Sequence, residues 1–100
     1  MASYFVGVVN KHDLEKYGLY AAAGYQSIAG FDVEVTMAEN PQVLEGNFPG
    51  TTIIIMKFKD EDGATRWYNS DLYQAAIPFR HASADTPFLI QFNDAEGQIQ

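Results

Sequence analysis

The chain has 100 residues, enough for one domain with a modest core and too few for two. Its 47% apolar and 19% charged composition is that of a globular protein, and six Lys and Arg against 13 Asp and Glu leave a formal charge of -7. That balance argues against a nucleic-acid partner or an anionic membrane surface, which need clustered cations, and the absence of cysteine excludes disulfides, thiolate catalysis and thiolate-bound metals.

Tyr4-Phe5-Val6-Gly7-Val8-Val9 is β-branched and aromatic and predicts a first strand. Asp13 then offers a carboxylate to cap a helix. Leu14, Tyr17, Ala21, Gly24, Tyr25 and Ile28 follow at helical spacing as one apolar face. Gly18 and Gly24 each cost about 1 kcal/mol against Ala in a helix interior. They predict an imperfect helix, or one that packs closely on a sheet. Gly30 is the expected stop. Phe31 to Met37 alternates strictly, a strand with one wet face. Asn40-Pro41 and Glu45-Gly46-Asn47-Phe48-Pro49-Gly50 mark a loop, and Thr51 to Phe58 is the strongest strand in the chain. Asp60-Glu61-Asp62 suits the positive end of a helix dipole. Trp67 and Tyr68 close that short helix, and Ser70 caps a continuation through Leu72, Tyr73, Ala76 and Ile77 that Pro78 is expected to kink or end. Pro87 to Phe92 is a last strand, followed by an acidic tail from Asn93 to Gln100 that is expected to fray. No apolar run approaches the roughly 20 residues of a membrane span, and Met1 to Phe5 lacks the basic start and apolar core of a secretory leader, so the cytoplasm is the expected location.

The order β-α-β-β-α-β is the ferredoxin-like pattern, an α+β fold with a four-stranded antiparallel sheet and both helices on one side. The uncovered face of such a sheet is polar in a monomer. Here it is not. Val6 and Val8 oppose Phe5 and Val9 on the first strand, Ile53 and Ile55 oppose Ile54, Met56 and Phe58 on the third, and Phe88, Ile90 and Phe92 oppose Leu89 on the fourth. Strands apolar on both faces predict a homodimer, sheet against sheet about a two-fold axis.

Leu44-Glu45-Gly46, Trp67-Tyr68-Asn69-Ser70, Tyr73-Gln74-Ala75 and Arg80-His81-Ala82-Ser83, with Tyr4-Phe5-Val6-Gly7 and the Asp13 to Tyr17 helix start, resemble the DUF1330 family of small bacterial proteins of unknown function. The resemblance covers nearly the whole chain, residues 1–100 being one such domain. Members often carry Gly-Gly after the first helix and Pro after the first Asp, where this chain has Gly30 alone and Leu14. The resemblance implies a dimeric α+β barrel. Its wider relatives include cofactor-independent monooxygenases, isomerases, lyases and haem-degrading enzymes, among which fold membership does not choose.

Arg80 and His81 are the first chemical candidates: a guanidinium grips a carboxylate or enolate, and an imidazole moves protons near neutrality. The plainer account places both at a helix C-terminus for the dipole. Glu45 is a loop carboxylate beside a glycine suited to a positive φ. It serves either as a base or as a structural partner for Arg80, with Asn47 as a companion or a turn residue. Tyr68 and Tyr73 carry polar tips on flat rings and fit either a ligand pocket or a core. Trp67 and Tyr17 read as core. Tyr17, Tyr20 and Tyr25 of the first helix are further residues that share the cleft if it exists. His12 and His81 lie in no metal-ligand spacing, and no phosphate loop or nucleophile triad is present, so no metal and no cofactor is expected.

Two functions remain open. In one, each subunit binds or transforms a small anionic or phenolic metabolite without a prosthetic group: Arg80 anchors it, His81 or Glu45 moves a proton, and Tyr68 or Tyr73 polarises a carbonyl. In the other, the protein is a non-catalytic binding or assembly module, and Glu45 and Arg80 form an ion pair that ties the loop to the last helix.

Overall fold

The chain runs β1 (Ser3–Lys11), α1 (Leu14–Ser27), β2 (Val33–Glu39), β3 (Thr52–Phe58), α2 (Gly63–Tyr68), α3 (Asp71–Ser83) and β4 (Ala84–Asn93) in a computed structural model that describes residues 1–94. The four strands form one antiparallel sheet in the order β2-β3-β1-β4, the ferredoxin-like arrangement. Phe5, Met56, Phe58, Ala64, Trp67, Tyr73 and Ala76 make the core between the sheet and the helices.

The register puts Val6 beside Ile55 and Ile90, and Val8 beside Ile53 and Phe88, all on the face away from the helices. Ile55, Phe88, Ile90 and Phe92 remain 37%, 38%, 49% and 46% exposed there, so the open face is as apolar as the alternation requires. On β2 the alternation holds, but Val35 and Met37, on the helix side with Met56 and Ile54, are themselves exposed because the helices leave this edge uncovered.

The helix signals behave unevenly. Asp13 caps α1 as expected, its Oδ1 accepting from Lys16 N at 3.0 Å. The buried face, however, is Tyr17, Tyr20, Ala23 and Ser27, and Leu14 and Tyr25 point outward at 76% and 78% exposure. The turn is set by Ser27, whose hydroxyl accepts the buried Trp67 indole N–H at 2.9 Å and donates to Gly24 O. Gly18 and Gly24 interrupt nothing and do not serve close packing, since a Cβ at either would touch no atom. Gly30 and Gly46 adopt φ +86° and +82°, as a helix exit and a tight loop demand.

Ser70 caps α3 by accepting from Tyr73 N, and its own hydroxyl donates to Trp67 O, joining α2 to α3 across a two-residue break. Pro78 does not end α3, which continues to Ser83. Pro78 is exposed, so solvent takes the hydrogen bond that its ring denies to the Gln74 carbonyl. Ser83 O accepts from both His12 N and Asp13 N, at 2.9 and 3.1 Å, and pins the end of α3 to the start of α1.

β4 begins at Ala84, three residues ahead of the expected Pro87. Between Asp85 and Phe88 it carries one residue more than β1 does between Asn10 and Val8. This bulge on an edge strand accommodates Pro87 and turns Thr86 to the helix side. The tail does not begin at Asn93. That side chain donates to Glu61 O at 2.7 Å, and Asp94 N donates to Ala2 O. The rest of the expected tail, 95–100, lies outside the described residues.

Candidate functional site

Helical spacing puts Tyr73, Ala76 and Arg80 of α3 on one buried line facing the sheet. Arg80 is 3% exposed. Its Nη1 donates to Thr86 Oγ1 at 2.8 Å, and the guanidinium lies 5.8 Å over the Tyr20 ring. Its Nε–H is buried without a partner among the described residues. The ion pairs among the described residues are Lys11–Glu39, Arg66–Asp60 and Arg66–Asp62, so none of them neutralises Arg80. A cation taken out of water without an anion is costly, which makes this the most unusual feature of the interior.

Three phenols form a chain that meets that cation at Tyr20. Tyr20 and Tyr73 share a hydroxyl–hydroxyl hydrogen bond of 2.8 Å, and the Tyr17 ring stands 5.4 Å from the Tyr20 ring. Burial pushes the Tyr20 phenol far above the usual tyrosine range, with Tyr73 adding to the rise and Arg80 opposing it. Burial, and then the Glu39 carboxylate, push Tyr17 up to about 12. Both are therefore neutral hydrogen-bonding groups at physiological pH. At the end of the sheet beside Tyr17, Glu39 accepts from Lys11 Nζ at 2.7 Å and from Thr52 Oγ1 at 2.8 Å, and Lys11 lies 4.5 Å over the Tyr17 ring. Lys11, then Thr52, hold the Glu39 carboxyl below the usual carboxylate range.

Tyr68, half-buried, packs its ring 5.5 Å from Tyr73 and 6.3 Å from Phe5. With Phe5, Leu89, Ile90 and Gln91 it lines an open cleft of about 180 Å³ at the β4 edge. Tyr73 thus meets Tyr68 on one side and Tyr20 on the other, and Arg80 meets Tyr20; Arg80 does not line the cleft beside Tyr68. His81, the next residue on α3, is exposed, as a rotation of about 100° per residue requires. Glu45 and Asn47 are exposed on the β2–β3 loop, and neither bonds to Arg80. The Glu45–Arg80 ion pair of the structural account does not form within the described chain.

Tyr20 has a larger part than its sequence suggested, and its signal was the i, i+3 spacing from Tyr17. Tyr25, its supposed companion, faces solvent. Thr86 carried no signal, because its direction depends on the β4 bulge. Among the described residues no cluster of His, Cys, Asp and Glu is arranged to hold a metal ion, and no helix is long and apolar enough to cross a membrane. What the site offers is one buried guanidinium whose Nε–H has no partner among the described residues, with the Tyr20 ring beside it.

Fold and site together define a ferredoxin-like α+β protein with a buried cation between its helices and its sheet that has no ion-pair partner among the described residues. The chain belongs to the DUF1330 family, a domain of unknown function whose model matches residues 2–93. No functionally curated protein matches it. Among solved structures it is similar to a dimeric ferredoxin-like protein of unknown function from Thermobifida fusca, at 14% identity and a TM-score of 0.65, covering 94% of this chain and 92% of that one. It is also similar to SnoaB, a cofactor-independent oxygenase from Streptomyces nogalater, at 14% identity and a TM-score of 0.67, covering 99% and 98%. A dimeric protein of unknown function with a ferredoxin-like fold from Bacteroides fragilis matches at 9% identity and a TM-score of 0.59, covering 93% and 96%. Likeness at these identities establishes the shared fold and nothing about activity.

Proposed function

We propose that the protein is a homodimer in which each protomer binds a small organic anion, a carboxylate or phenolate on an apolar or aromatic body, between α3 and the sheet. The observation that carries the reading is Arg80: buried, held in place by Thr86, and left with an Nε–H that is unpaired among the described residues. A bound oxyanion supplies the charge and the acceptor that the interior lacks. Tyr73 and Tyr20 contribute hydroxyls beside it, and Tyr68 lines the cleft through which an aromatic body enters. Proton transfer by Glu45 or His81, or contact by Asn47, requires the loop or the helix end to move toward the ligand or a second protomer to bring one of them there. Binding without chemistry is therefore the better supported half of the reading.

The dimer covers Ile55, Phe88, Ile90 and Phe92, a patch that soluble protomers do not normally leave wet. Two dimeric proteins share this fold, which supports the same arrangement here. Sedimentation equilibrium at micromolar protein tests it: the mass of two chains is expected, and the mass of one overturns it.

Ligand binding is tested with benzoate and 4-hydroxybenzoate, followed by the emission of Trp67, whose ring centroid lies 4.0 Å from that of Tyr73. Saturable binding that Arg80→Gln abolishes is expected. No saturation, or saturation indifferent to Arg80, refutes the site.

A further inference from the structure

The loop between β2 and β3 carries the Leu44-Glu45-Gly46 motif, which takes no part in the contacts around Arg80. Its root is rigid. Asn40 N donates to Thr51 O at 2.7 Å, and Thr51 N donates to Val9 O at 2.8 Å. Asn40 takes φ +46°, in the left-handed region, as it turns the chain out of β2. Gly50 is pressed against β1: a Cβ there would stand 2.6 Å from Val9 O and 2.7 Å from Val8 Cγ1, so nothing larger fits.

Beyond that root the protomer gives the loop nothing to hold. Among the described residues, the backbone of 41–50 forms no hydrogen bond. Residues 42–47 are all exposed, Val43 at 46% and Leu44 at 84%, and neither aliphatic side chain packs against the hydrophobic clusters of the protomer. A fixed root thus presents apolar surface to water, and the protomer has no seat that covers it.

The position of the root points to what does. Val8, against which Gly50 rests, belongs to the open sheet face, between Ile53 and Phe88. The loop therefore springs from the margin of the surface that a second protomer covers. Two sheets packed face to face lie about 10 Å apart. Extended chain from Asn40 to Leu44 reaches at most about 13–14 Å, enough to cross that gap. An unrelated protein would have to settle on the rim of the dimer to meet the same tip.

We propose that 41–50 is an arm with which each protomer clasps the other: the Val43–Leu44 tip packs on the second copy of this chain, at the margin of the sheet-to-sheet contact. The two-fold axis makes the arms reciprocal, so each dimer closes two of them. The proposal rests on the homodimer reading and adds to it a contact outside the sheet face.

The chain has no cysteine, so a single one can be placed at the tip. Leu44→Cys is labelled with a benzophenone maleimide and irradiated, with Tyr25→Cys, at an exposed position on α1, as the control. A covalent pair of chains on a denaturing gel is expected from position 44, lost when Ile90→Asp is added, and none is expected from position 25. Sedimentation equilibrium of the double variant Val43→Ser, Leu44→Ser is expected to show a dimer dissociation constant raised at least about tenfold, with far-ultraviolet dichroism unchanged. A wild-type dimer that the two serines do not weaken, or that gives no cross-link from position 44, overturns the arm and leaves the dimer. An equal yield from position 25 does the same. A monomeric wild type overturns both.

Discussion

Replacing Arg80 by Met separates a residue kept for a ligand from one kept for the fold. The methionine chain retains most of the aliphatic stem's packing beside Tyr20. It loses the hydrogen bond from Nη1 to Thr86, about 1.5–3 kcal/mol for a charged donor, though half-exposed Thr86 can turn to water. Against this, it removes an unpaired buried Nε–H, worth about 1–3 kcal/mol, and a desolvated cation without a counterion, worth several kcal/mol more. The balance favours Met by about 1 kcal/mol or more, a rise in Tm of at least about 4 °C for a chain of this size. Urea unfolding of the ligand-free protein at fixed protomer concentration measures it, because dimerisation otherwise shifts the midpoint. The same variant should no longer bind benzoate. A loss of about 3–5 kcal/mol instead is what breaking a buried ion pair costs. That result would mean Arg80 has a structural anion, and the argument for a ligand would fail.

Ser27→Ala leaves the buried Trp67 indole N–H without its 2.9 Å acceptor and should cost about 1–3 kcal/mol in urea unfolding; a loss under about 0.5 kcal/mol would show that the indole finds another partner. Gly18→Ala, on an open face of α1, should stabilise by about 0.5–1 kcal/mol in the same assay, and destabilisation would contradict the free space around it. Ile90→Asp, on the open sheet face, should halve the mass seen by sedimentation while far-ultraviolet dichroism holds; an intact dimer would place the interface elsewhere. Lys11 and Thr52 depress the Glu39 carboxyl, so its contribution is present above the unfolded value near about 4.3 and fades as pH falls through the lower folded value. Wild type should therefore exceed Glu39→Gln in urea midpoint at about pH 7 and lose that lead by about pH 3. A lead that persists in acid would rule out this ionised contact.

What the sequence made legible follows from the range of the interactions involved. The open face could be read because a two-residue period is local: each strand declares by itself whether both sides are apolar, as Val6 against Phe5 and Ile55 against Met56 do. Asp13 and Ser70 could be read because a cap bonds within three residues. The orientation of α1 could not. Its inward turn depends on Ser27 meeting an indole 40 residues later, so a hydroxyl that counts as polar in any periodicity is buried, while Leu14 is left outside. Arg80 carried a mixed signal. Its seven-residue spacing from Tyr73 places it on the buried line, but its position at the end of a helix and next to His81 suggests a dipole role at the surface. Deciding between them requires Thr86, and Thr86 faces Arg80 only because β4 holds an extra residue beside Pro87. The loop around Glu45 announces its turn through Gly46 and says nothing of direction. The site therefore emerges where local rules conflict. A guanidinium on an apolar stripe opposes the stability of its own helix packing, and no acidic partner for it lies among the described residues. Under the proposed function, a ligand would bring the missing negative charge.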